Sequence, residues 1–126
     1  EFEHYFLPRE DIIYAFVVEN DGKISDMISF YSIPSTVVNN PLHNQIRAAY
    51  GYYCVSGSAP LKQIMNDMLI IAQQLGFDVF NIIDIMDNME IMDELKFGLG
   101  DARLQYYLYN WRCPEMQPSE VGLILQ

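Results

Sequence analysis

The sequence predicts an α/β fold, a mixed β-sheet with flanking helices, from three observations. Two runs rich in β-branched and aromatic residues are joined by an Asp-Gly dipeptide. Apolar residues then recur at helical spacing between positions 61 and 75, and a nearly continuous apolar run follows at 77–83.

The first element is the strand Ile12–Glu19, and Ile24–Ile33 alternates polar and apolar residues as a second strand. Between them Asn20-Asp21-Gly22-Lys23 supplies a tight primed turn, because both central residues of such a turn need positive φ. Pro34 and Pro41 bracket a loop holding Ser35, Thr36, Asn39 and Asn40. Gln45–Val55 is strand-like again, with Ile46, Ala48, Tyr50, Tyr52 and Cys54 expected on one face.

Ser56-Gly-Ser-Ala-Pro60 is a turn into a helix, with Ser58 or Ala59 at the cap and Pro60 in the first turn. Leu61, Ile64, Met65, Met68, Leu69, Ala72 and Leu75 form its apolar stripe, and Gly76 closes it. Phe77–Ile83 reads as a strand buried on both faces. Asn88–Lys96 is expected as a short helix stopped at Gly98, Leu104–Trp111 as a strand, Pro114–Glu120 as a loop and Val121–Leu125 as a last strand. The order β-β-β-α-β-α-β-β describes a sheet with helices laid on it. The chain carries no internal repeat, low-complexity tract or linker.

A chain of 126 residues, 51% of them hydrophobic, builds one sizeable core and hence one domain. No apolar run approaches the roughly 20 residues of a transmembrane helix, and no basic-then-apolar leader stands at the start, which reads as the start of a fragment. Cys54 and Cys113 are too few for a disulfide framework and, with only His4 and His43 beside them, show no metal-ligand spacing. A reducing cytoplasm is the expected compartment. The net charge of −10 argues against nucleic acid and permits a cationic partner such as a basic peptide. Nine Tyr, seven Phe, seven Met and one Trp are more than a core of this size hides, so part of the surface is expected to be covered by a ligand or partner domain.

Familiar catalytic constellations are missing. Gly98-Leu-Gly100 lacks the third glycine and the strand–helix setting of a phosphate cradle. His43 has no nucleophile that the sequence pairs with it, and Asp84, Asp87 and Asp93 read as helix-end acids. The ending Val121-Gly-Leu-Ile-Leu-Gln126 keeps a strand pattern to its last residue, which points to a docked terminus. Its α-carboxylate is an acceptor-only anion placed by the main chain, a candidate general base beside the plain reading of a surface charge.

The stretches Phe30-Tyr-Ser-Ile-Pro-Ser-Thr36, Gly76-Phe-Asp-Val-Phe-Asn81, Leu95-Lys-Phe-Gly-Leu-Gly-Asp101 and Leu104-Gln-Tyr-Tyr-Leu-Tyr-Asn-Trp111, with the ending 121–126, closely resemble the C-terminal half of eukaryotic N-myristoyltransferases. The resemblance covers essentially the whole chain in order. It implies an acetyltransferase-like (GNAT-like) fold over residues 1–126. It also implies a peptide-binding half whose N-terminal, acyl-CoA-binding counterpart lies outside this sequence. The implied reaction moves myristate from myristoyl-CoA, a co-substrate of the full enzyme, to the N-terminal glycine amine of proteins. No cofactor is assigned to this half.

Carried over by motif, the catalytic base is the C-terminal carboxylate of Gln126. Ser35 of Pro-Ser-Thr and Tyr50 of Ala-Ala-Tyr match groove-lining positions, Ile46 and Leu125 match apolar groove positions, and Asp101 matches a loop acid beside the peptide. Ala102 and Arg103 stand where the family commonly has Gly, often followed by Asn or another residue, a departure that bears on the loop's contact with the peptide and on any preference for a basic residue downstream of the glycine. In water, moving a proton from an α-ammonium near pKa 7.8 to an α-carboxylate near 3.5 is uphill by about 4 units, roughly 6 kcal/mol. Burial penalises both charged forms and so lowers that cost. The competing readings are a non-catalytic peptide-binding or interaction domain and a free-standing acetyltransferase. The second is disfavoured because the superfamily's Gln/Arg-x-x-Gly-x-Gly/Ala motif is absent.

Overall fold

A computed structural model describes residues 1–124, and Leu125 and Gln126 lie outside the described residues. Where composition points to one domain, the residues group into two compact units, Glu1–Ile83 and Asp84–Gln126.

The first unit holds the sheet. Strands β1 (Ile13–Asn20), β2 (Lys23–Thr36), β3 (Gln45–Val55) and β4 (Val79–Asn81) lie in the order β1-β2-β3-β4. The first three are antiparallel neighbours, and β4 runs parallel to β3. The hairpin turns where the Asp-Gly dipeptide places it: Asp21 and Gly22 take φ of 50° and 74° and join Asn20 to Lys23. A parallel neighbour requires a crossover, supplied by α2 (Leu61–Gln74). Its buried residues Ile64, Met65, Met68 and Ala72 come from the expected stripe, and it packs on β2 and β3.

Gly76, at φ 79°, closes α2: its N–H donates to the Gln73 carbonyl (3.0 Å), and Phe77 N–H donates to Ala72 (3.1 Å). The turn delivers Phe77 edge-on to Phe30, centroids 5.6 Å apart, and Phe30 also meets Tyr14 and Phe80. This aromatic cluster is the centre of the core.

Several expectations are corrected. The Pro34–Pro41 loop begins later than proposed, because Pro34, Ser35 and Thr36 pair with Arg47, Ile46 and Gln45 and extend β2. The α2 cap is Pro60, whose carbonyl accepts from Gln63 and Ile64, while the Ser58 hydroxyl is engaged elsewhere. The strand at 77–83 shortens to three residues, Val79–Asn81. Cys54 does not share a face with Tyr50. Only Ser29 separates Ile28 from Phe30, whereas Tyr52 and Tyr53 separate their partners Cys54 and Gly51, so a bulge inverts the alternation. The buried Ser29 hydroxyl heals that gap, donating to the Tyr53 carbonyl (2.8 Å) and accepting from Tyr53 N–H (3.0 Å). A short helix that the sequence pattern does not announce, α1 (Phe2–Phe6), stacks Phe6 on Tyr52 at 5.3 Å.

In the second unit the expected helix 88–96 contracts to α3 (Met89–Met92). Turns follow it, and Lys96 rather than Gly98 takes the left-handed conformation, at φ 63°. The segments 104–111 and 121–124 form no strand, and Pro118–Glu120 is a 3-10 turn. Alternating side chains make a strand only where a neighbouring backbone takes up the ladder hydrogen bonds, and no described strand pairs with 104–111.

Candidate functional site

Two faces of the sheet are used differently. Asp26, Ile28 and Phe30 of β2 point to the α2 side, together with Arg47, Ala49 and Gly51 of β3. Adjacent ladder partners share a side, so Tyr31, Ile33 and Ser35 lie on the opposite face with their partners Tyr50, Ala48 and Ile46. Tyr31 and Tyr50 stack there at 5.5 Å and 17°, and Tyr52 stands edge-on to Tyr31 at 5.9 Å. Ile33 and Ile46 are 44% and 38% exposed, unusual for apolar residues in the middle of a sheet. The result is a half-open apolar surface with a tyrosine-rich end and the aliphatic hydroxyl of Ser35. Burial of the Tyr52 phenol, and then its neighbour Tyr53, pushes its pKa up, so Tyr52 stays neutral at ordinary pH.

The fold thus gathers Ser35, Ile46 and Tyr50, three positions scattered over 16 residues of sequence, onto one face. Asp101, Ala102 and Arg103 belong to the second unit, in an exposed irregular segment after Gly98 and Gly100. Leu125 and the Gln126 carboxylate fall outside the described residues. Ile124, just before them, is buried at 4% exposure. Among the described residues no group of three His, Cys, Asp or Glu side chains is placed to hold a metal, and no helix is long and apolar enough to cross a membrane.

Two clusters that position this surface escape a motif-based reading. Arg47 ties β3 to the α2–β4 turn. Its N–H donates to the Asp78 carboxylate (2.8 Å), its carbonyl accepts from Asp78 N–H (2.9 Å), and its guanidinium donates to the Leu75 carbonyl (2.7 Å) and Asp11 (2.9 Å). The guanidinium also covers the Phe77 ring at 4.7 Å. Asp26 collects the turn before α2. Its Oδ1 accepts from Gly57, Ser58 and Ala59 N–H at 2.9, 2.9 and 3.0 Å, and its Oδ2 from the Ser25 and Ser58 hydroxyls. Those hydroxyls, then the backbone donors, hold the carboxyl well below the usual carboxylate range. The legible signal was parity, since an acid at position 26 shares the inward face of Ile28 and Phe30. The Cys54 thiol, on that same side, is pushed up to about 11 by burial and then by the Asp26 charge.

A mixed sheet with a crossover helix on one face and an open apolar surface on the other defines an acetyltransferase-like α/β protein. Glucosamine-6-phosphate N-acetyltransferase from Arabidopsis thaliana shares this fold at a TM-score of 0.59 and 15% identity, over 79% of this chain and 69% of that one. The particular family is narrower. The profile described as myristoyl-CoA:protein N-myristoyltransferase, C-terminal domain, matches residues 1–124, and the chain belongs to that family. Glycylpeptide N-tetradecanoyltransferase 2 of Danio rerio is 56% identical over 127 aligned residues, covering 100% of this chain and 26% of the relative. The crystal structure of Saccharomyces cerevisiae N-myristoyltransferase with bound myristoyl-CoA aligns at a TM-score of 0.73 and 34% identity, over 79% of this chain and 29% of that one. The chain therefore spans about a quarter of the length of the curated relatives it matches.

Proposed function

We propose that residues 1–126 are the peptide-binding half of a glycylpeptide N-myristoyltransferase, acting with an acyl-CoA-binding half encoded outside this sequence. The observation that carries the reading is the face shared by Ser35, Ile46 and Tyr50, in a chain of this family. An extended peptide laid on that face meets apolar side chains, a tyrosine pair and the Ser35 hydroxyl. Asp101 and the net charge of −10 favour a basic residue downstream of the glycine, with Ala102 and Arg103 modulating that loop. The compartment proposed is the cytosol, in keeping with two free cysteines.

In the reaction the glycine amine attacks the thioester carbonyl of myristoyl-CoA. The carbonyl electrons pass to oxygen in a tetrahedral oxyanion, which collapses to the amide as the C–S bond breaks, the nitrogen's remaining excess proton passing to the departing sulfur so that CoA leaves as the thiol. The Gln126 α-carboxylate takes the ammonium proton beforehand, and enclosure of the groove reduces the roughly 6 kcal/mol cost of that transfer in water.

The test is single-turnover acyl transfer by the complete enzyme. Substituting Gln126 should be tolerated, because any last residue brings the same carboxylate. Deleting it, or extending the chain, moves the anion by roughly 3.3 Å or more along an extended backbone and should slow transfer by about 100-fold while peptide still binds. Unchanged transfer in the truncated and extended enzymes would remove the carboxylate from the mechanism.

A further inference from the structure

The turn between β3 and α2 has the form of an anion nest. Gly57, Ser58 and Ala59 present three successive N–H groups to one point, and the Ser58 hydroxyl adds a fourth donor. Successive amides converging in a turn between a strand and a helix make a concavity suited to phosphate, carboxylate or sulfate. The nest is built tightly: a Cβ at Gly57 would collide with the Ser25 carbonyl oxygen, so the turn lies directly on β2. That close approach brings Asp26, 2% exposed, to the point where the donors converge.

We infer that Asp26 is the nest's resident anion, a built-in ligand that latches β2 to the start of α2 and closes this strand–turn–helix corner to phosphate-bearing ligands. Both carboxylate oxygens are engaged, Oδ1 by the three amides and Oδ2 by the two hydroxyls, so all five donors of the cluster are consumed. An incoming phosphate would find none of the three nest amides free and would confront a buried negative charge at hydrogen-bond distance. The inference is independent of the acyl-transfer reading, since it concerns the α2 side of the sheet and not the open face.

The experiment follows the backbone amide resonances of Gly57, Ser58 and Ala59 in the complete enzyme during titration with inorganic pyrophosphate, against chloride at matched ionic strength. In the parent chain, and in Asp26→Asn, which leaves the position filled, these resonances should not move. In Asp26→Ala the nest is vacated, and the same three resonances should shift saturably at millimolar pyrophosphate but not with chloride. If the alanine chain unfolds, pyrophosphate should restore its folded spectrum where chloride does not. Saturable shifts in the parent would show an open site and overturn the proposal. So would an alanine variant that is neither shifted nor refolded by pyrophosphate, which would mean that the amides form no nest.

Discussion

Ser35 of β2 and Ile46 of β3 are ladder partners, and both project to the face where Tyr31 and Tyr50 stack. A peptide crossing that face must pass over this pair. In the complete enzyme Ser35→Trp should therefore raise the peptide KM by about tenfold, equivalent to about 1.4 kcal/mol, while kcat at saturating peptide stays near the parent value. Removal of uniform binding has that signature. An unchanged KM would place the peptide elsewhere.

Arg47 joins three segments through one side chain. Arg47→Ala removes the charged hydrogen bond to Leu75 and the cover over Phe77, and should cost about 2 kcal/mol. Asp11→Ala should cost less than about 1 kcal/mol, because the Arg47–Asp11 pair is exposed. Urea midpoints at unchanged m value would measure both. Equal costs for the two substitutions would show that the ion pair, not the carbonyl contact, carries the tie.

Asp26 predicts a pH dependence of stability whose sign follows from its partners. Its native pKa is depressed, so its contribution is fully present above the unfolded value of about 3.9 and is lost as pH falls from there towards the lower native value. The neutral Asp26→Asn chain should be less stable than the parent at pH 7, and the two should converge as pH drops below about 4. Denaturant midpoints between neutral and acid pH would test this. A parallel pair of curves would show that the Asp26 charge does not stabilise the fold.

Much of this was readable from short-range pattern. The Asp21-Gly22 turn, the span Gln45–Val55 and the stripe of α2 with its Gly76 terminator depend on residues within a few positions of one another, and each stands where the pattern places it. That Ser35, Ile46 and Tyr50 line one groove is what the resemblance implies, whereas their common face follows from ladder register. Position 26 could be assigned inward by alternation alone.

What short-range pattern could not carry was whatever depends on a distant partner. The turn amides that hold Asp26 lie 31 to 33 residues along the chain, and the Ser29 hydroxyl that stabilises the Tyr52–Tyr53 bulge lies 24 residues away. The same holds for 104–111, whose alternation is that of a strand although no described neighbour pairs with it. The sequence by itself determined periodicity, turns, caps and which side chains can be apolar, because these follow from the chain's own dihedral preferences and side-chain spacing. Only the tertiary structure decided register, the inverted face beyond the bulge and the occupant of the α2 nest, because a backbone amide or a buried carboxylate takes its partner from whichever segment folding brings within hydrogen-bond reach.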